Sequence, residues 1–318
     1  MKATDDDQFT FPRYTMADFQ YSVVGMDEDL PVTLHHSIYP AVDPKAHFDK
    51  RSYQDKVVLV TGASRGIGRE VAVFYARAGA SVVIVARAQE ALAETKKIIE
   101  SAVPEAQVLA IAVDVKDWEK AEEAVSAAIA RFGRLDILIA NAGAISPVAT
   151  LMGDKDPTQW WNTFEVNIFG VFNFVRPALP HLVTAKGYIV VISSEVAQLR
   201  APGSSDYGVS KHALGRLVEL IVTEYPGIKA FTVHPGKIPT QMAADCKLDP
   251  RVPLPDSVEL PASTLLHLTS GKMDWLTGKY VSSNWDLGEV EKLWKEQIVG
   301  DGALVAKLHI PLAHETKA

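Results

Sequence analysis

The chain has 318 residues, 47% of them hydrophobic, a formal net charge of -7 and one cysteine, Cys246. That is enough apolar content for a substantial core, and a mildly acidic chain without basic-aromatic runs lacks an electrostatic grip on nucleic acid or anionic lipid, so small-molecule partners are expected. One cysteine excludes an intramolecular disulfide or a Cys-based zinc cage, and no apolar run reaches the roughly 18 to 20 residues of a membrane span; with no signal-peptide pattern and with Asp5, Asp6 and Asp7 opposing a presequence, a cytoplasmic, metal-free protein is expected.

Residues 1 to 52 show no sustained periodicity and read as an extended N-terminal arm. Phe9, Phe11, Tyr14, Phe19, Tyr21 and Tyr39 give it too much apolar surface for a solvated tail, so it is expected to lie on the body or on a neighbouring subunit. Over residues 53 to 288 short β-branched runs alternate with longer amphipathic stretches. The runs are VVLVT (57 to 61), SVVIVA (81 to 86), VLAIAV (108 to 113), DILIA (136 to 140), YIVVIS (188 to 193) and IKAFTV (228 to 233), and KYVSS (279 to 283) adds an edge. Continuous apolar strands separated by helix-length crossovers predict an α/β domain with a doubly wound parallel sheet of about seven strands. The Pro-rich, aperiodic stretch 241 to 262 reads as a lid, and EVEKLWKEQI (289 to 298) has helical spacing before a tail that ends at 318.

Directly after the first strand stands TGASRGIG, Thr61 to Gly68, leading into a helical pattern. Gly62 permits the tight turn, Gly66 lets backbone approach a pyrophosphate and Gly68 allows close helix-strand packing, while Ser64, Arg65 and Ile67 complete a loop that ends at a helix N-terminus. The same residues fit a serine-hydrolase elbow, GxSxG with Ser64 as nucleophile, for which His234 or His267 could be nominated. About 20 residues beyond the glycines, where an NAD-selective fold carries an acid, the chain has Ala86-Arg87. Arg87 with Arg65 therefore predicts NADP(H) over NAD(H), through charge-assisted bonds to a 2′-phosphate.

Tyr207 and Lys211 lie four apart in YGVSK, on one face of a helix predicted over 206 to 224. Tyr225 and Lys229 have the same spacing, but Pro226 and Gly227 break any helix between them. With these motifs the sequence resembles the classical short-chain dehydrogenase/reductase family over residues 55 to 288, implying a Rossmann-like fold. The resemblance rests on the glycine loop, Asn141-Ala142-Gly143, Asn167 in EVNIFG, Ser194 thirteen residues before the tyrosine, and Pro235-Gly236 through Thr240. The long arm and the YVSSNWD ending look like a fungal subgroup. Ala140-Asn141-Ala142-Gly143 in place of NNAG, and Ser283-Asn284-Trp285-Asp286 near the usual DGG-like segment, depart from the family pattern.

The resemblance implies an oxidoreductase moving hydride between nicotinamide and a carbonyl or alcohol, with Tyr207 as general acid or base. Lys211 would lower the phenol's pKa and hold the nicotinamide ribose, Ser194 would bind the substrate oxygen, and Asn167 would support a water relay. It further assigns Ile238 and Thr240 to the carboxamide, Asp114 and Val115 to the adenine pocket, Ile145, Ser146, Glu195 and Met242 to the substrate pocket, and a homodimer or homotetramer to the helices carrying Trp160 to Val175 and Asp206 to Glu224. Several residues have a second reading. Ser193 could face the site in place of Ser194, Asn141 could brace the sheet, Asn167 could cap a kink, and Asp114 could cap a strand end. A non-catalytic NADP(H) sensor or scaffold is the alternative function.

Overall fold

The computed structural model describes residues 23 to 25, 27 to 148, 150 to 247 and 251 to 308, so Phe9, Phe11, Tyr14, Phe19 and Tyr21 of the arm lie outside the described residues. Each β-branched run forms a strand: β1 Val57–Thr61, β2 Ser81–Ala86, β3 Val108–Ala112, β4 Ile137–Ala140, β5 Tyr188–Ile192, β6 Lys229–His234 and β7 Lys279–Ser282. All pairs are parallel and the order is β3-β2-β1-β4-β5-β6-β7. Alternate residues feed two cores. Val58 and Val60 face α2 (Gly66–Arg77), α3 (Gln89–Ala102) and α9 (Glu259–Leu268), whereas Val57 and Leu59 face α4 (Trp118–Phe132), α6 (Gly170–Ala185) and α7 (Tyr207–Glu224). Helices on both faces explain why the strands are apolar throughout instead of alternating.

The chain winds outward from β1 to β3 and then returns to place β4 on the other side of β1. The crevice at the carboxyl ends of these neighbours is the switch point at which open α/β sheets bind ligands. Thr61 Oγ1 spans it, accepting from the amides of Asn141 and Ala142, both at 3.1 Å.

The N-terminal segment is not extended throughout. A short helix, α1 (Lys45–Lys50), follows Pro44, too brief to leave a periodic signature, and Phe48 packs edge-on against Phe74 of α2. Tyr39 and Tyr53 are buried, their hydroxyls donating to the carbonyls of Trp285 and Leu266. The lid stretch contains α8 (Gln241–Asp245), and α9 begins inside it at Glu259. Pro261 lies in that helix's first turn, where a missing amide costs nothing, so proline there did not mark irregular chain. The expected C-terminal helix runs from Leu287 to Gly300 with a π turn over Val290–Trp294, and Asp286 caps it by accepting from Gly288 and Glu289. No helix among the described residues is long and apolar enough to cross a membrane.

Candidate active site

The glycine turn is built by close approach. A Cβ on Gly68 would meet Gly62 O and Asn141 Nδ2, each at 2.5 Å, so α2 can lie against β1 only without a side chain there. Asn141 Nδ2 donates to the carbonyls of Thr61 and Gly62, at 2.9 and 3.2 Å, which makes it a brace between β4 and the turn. Gly66 differs from both. It is exposed, has φ +56°, and a Cβ there would come into ordinary contact with Thr240 Cγ2 at 3.5 Å and clash with nothing. A helix N-terminus with exposed, bare backbone beside Thr240 fits a pyrophosphate.

Among the described residues, Ser64 has no hydrogen bond from its hydroxyl to a histidine, as a hydrolase nucleophile would. Its carbonyl is held by Arg69 Nη2 at 2.6 Å and by Thr95 Oγ1 at 3.2 Å. His234 stands on β6, three strands from β1, accepts at Nδ1 from the Glu195 amide and is held neutral by burial, its pKa lowered to about 4. His267 lies in the last turn of α9, whose Leu265 carbonyl meets Tyr75 near the far end of α2, away from the glycine turn.

Arg65 and Arg87 are both exposed and, among the described residues, make no ion pair, while nearby Arg69 is bound to Ser64, Thr95 and Glu94. Ala63 donates to Val85 O, so the turn carrying Arg65 passes the end of β2 from which Arg87 emerges. Asp114 Oδ1 accepts from the Lys116 amide at 3.0 Å, closing the turn after β3, and Val115 is buried with its carbonyl bound to Asn173.

The first turn of α7 aligns Tyr207 and Lys211 on one face, and Lys211 Nζ lies 5.6 Å from the phenol ring's centroid. Burial pushes the phenol up to about 12, opposed by a hydrogen bond from Ser194, and pushes the Lys211 ammonium down to about 8. Desolvation thus dominates the phenol, against the lowering expected from the lysine, and Lys211 Nζ itself donates to Ile192 O at 2.8 Å. The two serines divide as neighbours at a strand end should. Ser193 Oγ turns inward and donates to Lys211 O at 3.1 Å, leaving Ser194 as the hydroxyl that meets Tyr207.

Asn167 lies in a π turn, Glu165–Phe169, between α5 (Pro157–Phe164) and α6, the kind of helix defect that recurs at functional sites. Its Oδ1 accepts from the Ala144 amide at 2.8 Å, and its Nδ2 donates to Ala144 O and Ser210 Oγ. Gly143 is the point of convergence. The position its Cβ would take is 3.4 Å from Asn167 Oδ1, 3.5 Å from Lys211 Nζ and 3.5 Å from Met242 Cε of α8.

Other expected site residues serve structural ends as well. Thr240 Oγ1 caps α8 by accepting from Ala243, and Ile238 is buried with its carbonyl bound to the Thr240 amide. Glu195 pairs with Lys237 at 3.2 Å, linking the Ser194 segment to the Pro235-Gly236 turn. Ser146 is buried, its hydroxyl accepting from Lys155, and with Ile145 it lines a cleft of about 350 Å³ against α5.

Two features carried no sequence signal. Cys246 lies close enough to Tyr207 to help raise its pKa. Asp256, buried beneath Gly236, accepts from the Lys237 amide and meets His36 Nδ1 at 2.5 Å, so the N-terminal segment supports the Pro235-Gly236 turn. Gly236 has φ +103°, and a Cβ there would stand 2.7 Å from that carboxylate.

A doubly wound sheet with a glycine turn at its switch point and a Tyr-Lys-Ser-Asn cluster beside it defines a nucleotide-dependent oxidoreductase class. The chain belongs to the short chain dehydrogenase family, whose model matches residues 56–250. The short chain dehydrogenase mpl6 of Monascus purpureus, a fungal relative, is 38% identical over 275 residues, covering 84% of this chain and 92% of its own. Among solved structures, 7 alpha-hydroxysteroid dehydrogenase complexed with NADH and 7-oxo glycochenodeoxycholic acid superposes with TM-score 0.67 at 25% identity, over 74% of this chain and 95% of that one. An alcohol dehydrogenase from the archaeon Thermococcus sibiricus, complexed with 5-hydroxy-NADP, gives TM-score 0.63 at 26% identity over 71% and 95%.

Proposed function

We propose that this chain is an NADP(H)-dependent reductase of a ketone or aldehyde, reversible as an alcohol dehydrogenase, with Tyr207 as proton donor. The observation that carries the reading is a linked cluster beside a glycine turn that fits a pyrophosphate: Asn167 and Lys211 meet at Gly143, and Lys211 shares its helix face with Tyr207, which meets Ser194. The dinucleotide, when bound, supplies the hydride. Gly62, Ser64, Arg65, Gly66, Ile67 and Gly68 would hold its phosphates, Asp114 and Val115 its adenine, Asn141 through Gly143 with Lys211 its nicotinamide ribose, and Pro235, Gly236, Ile238 and Thr240 its carboxamide.

Tyr207 carries its proton at neutral pH, because burial disfavours the phenolate. That suits a donor to a carbonyl oxygen on which charge is developing, with Ser194 as the second hydrogen-bond donor there. Asn167 holds the loop through both backbone groups of Ala144, and with Lys211, buried beside Gly143, it would provide the route by which the phenol is recharged. Preference for NADP(H) over NAD(H) rests on Arg65 and Arg87, which make no ion pair among the described residues, and on Ala86, where an acid would repel a phosphate. Met242, Ile145 and the Glu195–Lys237 pair border the substrate side, which favours a moderately apolar carbonyl compound with a polar end. Trp161, Phe169, Phe172, Val209 and Leu220 leave apolar surface on α5, the π turn, α6 and α7, which supports a homodimer or homotetramer through those helices.

The test mixes purified protein with NADPH or NADH and a panel of carbonyl compounds, and follows loss of reduced-nicotinamide absorbance. Tyr207→Phe is expected to bind NADPH within a few fold of wild type and to lose about 10²- to 10⁴-fold in turnover. Wild-type turnover in that variant would remove Tyr207 from its role, and binding without turnover of any panel member would favour the sensor reading.

A further inference from the structure

Asp206 precedes Tyr207 at the position from which a capping side chain bonds the first amides of a helix, yet its carboxylate makes no such bond to α7. It turns into the protein, where it is fully buried. Oδ1 accepts from Lys155 Nζ at 2.7 Å, and Oδ2 accepts from Thr163 Oγ1 of α5 at 2.9 Å and from the Ser146 amide at 3.3 Å. Lys155 Nζ also donates to Ser146 Oγ at 2.6 Å. Both charged side chains are enclosed, 4% exposed for Lys155 and 1% for Asp206. Burial pushes the Asp206 carboxyl up, but the bonds from Lys155, Ser146 and Thr163 outweigh it and hold the group below the usual carboxylate range.

A buried ion pair adds little net stability, because removing two charges from water costs about what their attraction returns. What this one supplies is a fixed junction. Three pieces of chain, the loop after β4 at Ser146, the turn at Lys155 and α5 at Thr163, meet on a single carboxylate one residue from the phenol. Weaker ties lie around it. Asn167 Nδ2 bonds Ser210 Oγ, Ser210 Oγ bonds Tyr207 O at 2.8 Å, and Trp160 Nε1 bonds Ser205 Oγ at 3.3 Å. Gly203, with φ +79°, packs so closely on Val148 O that a Cβ would stand 1.9 Å from it.

The geometry points to Lys155 and Asp206 as positioning residues for Tyr207. Their pair locks the start of α7 against the loop after β4 and so fixes where the phenol stands relative to Ser194 and Gly143. Neither touches the reacting atoms. The inference rests on the assignment of Tyr207 made above, and a displacement of about 1 Å in such a group costs roughly 100-fold in rate.

Lys155→Met leaves the carboxylate buried and unpaired. Its kcat per NADPH-binding site is expected to fall about 10- to 100-fold while the NADPH Kd moves less than about twofold, since the glycine turn is untouched. Lys155→Arg keeps the charge and is expected to restore most of the turnover. The double variant Lys155→Met with Asp206→Leu removes both charges, and its Tm is expected to return toward wild type while kcat stays low. Wild-type kcat per site in Lys155→Met, or a kcat that recovers together with Tm in the double variant, would overturn the proposal by reducing the pair to a stabilising contact. If Lys155→Met does not fold, the comparison of Lys155→Arg with the double variant gives the same decision. Tyr207→Phe, assayed alongside, keeps the two readings apart. Full turnover there defeats the role of Tyr207, whereas an inactive Tyr207→Phe beside a fully active Lys155→Met defeats the positioning role alone.

Discussion

Replacing Gly66 by alanine separates the nucleotide-binding part of the glycine turn from its part in the fold. The new methyl group meets no protein atom closer than Thr240 Cγ2 at 3.5 Å, an ordinary contact, so the folded chain bears only the left-handed backbone at φ +56°. That conformation costs an alanine about 1–2 kcal/mol. For a chain of this size the Tm should drop by roughly 2–8 °C. The same methyl would cover the exposed backbone that the pyrophosphate would approach, at the turn beside Thr240. Displacing one charge-assisted hydrogen bond costs about 1.5–3 kcal/mol, so NADPH Kd should rise about 10- to 100-fold. Fluorescence titration of NADPH, run beside thermal denaturation of the same samples, reads both quantities. A Kd within about twofold of wild type, with the Tm lowered as expected, would show that the turn does not hold the phosphates.

Gly68→Ala should behave in the opposite way, because its Cβ would overlap Gly62 O and Asn141 Nδ2. Overpacking of this kind costs about 1–3 kcal/mol, so the Tm should fall even without nucleotide, and an unchanged Tm would mean that α2 lies less closely on β1 than described. Arg65→Ala and Arg87→Ala should each weaken NADPH about tenfold at low salt and leave NADH unaffected. Equal losses for both nucleotides would place the arginines away from a 2′-phosphate. Burial lowers His234 and His267 from 6.5 to about 4, so the unfolded chain takes up their protons first as pH falls. The stability they contribute is complete above pH 6.5 and is lost as pH falls toward about 4. His234→Asn, which retains an acceptor for the Glu195 amide, should flatten the decline of Tm across that window, and an unaltered slope would refute the assignment.

Periodicity and turn chemistry are local, and whatever depended on them was legible in the sequence. All seven strands begin and end within a residue of their apolar runs, the helix bearing Tyr207 and Lys211 has its expected span, and the glycine turn occupies the first strand-to-helix junction. Brief or proline-bearing helices escaped, because α1 has no full period and Pro261 hides the start of α9.

Partner choice was not local. Period-two alternation says that Ser193 and Ser194 face opposite ways, but only the way Lys211 of α7 meets the end of β5 decides that Ser194 meets the phenol. Lys155 is joined to Asp206 across 51 residues and His36 to Asp256 across 220, and nothing in the spacing of those residues marks either union. Backbone form follows from each residue's own sterics and its nearest neighbours. Which buried charges and hydroxyls satisfy one another is settled only when distant segments close over them and exclude water, so the chain's elements were written in its sequence and the wiring of its site was decided by the tertiary fold.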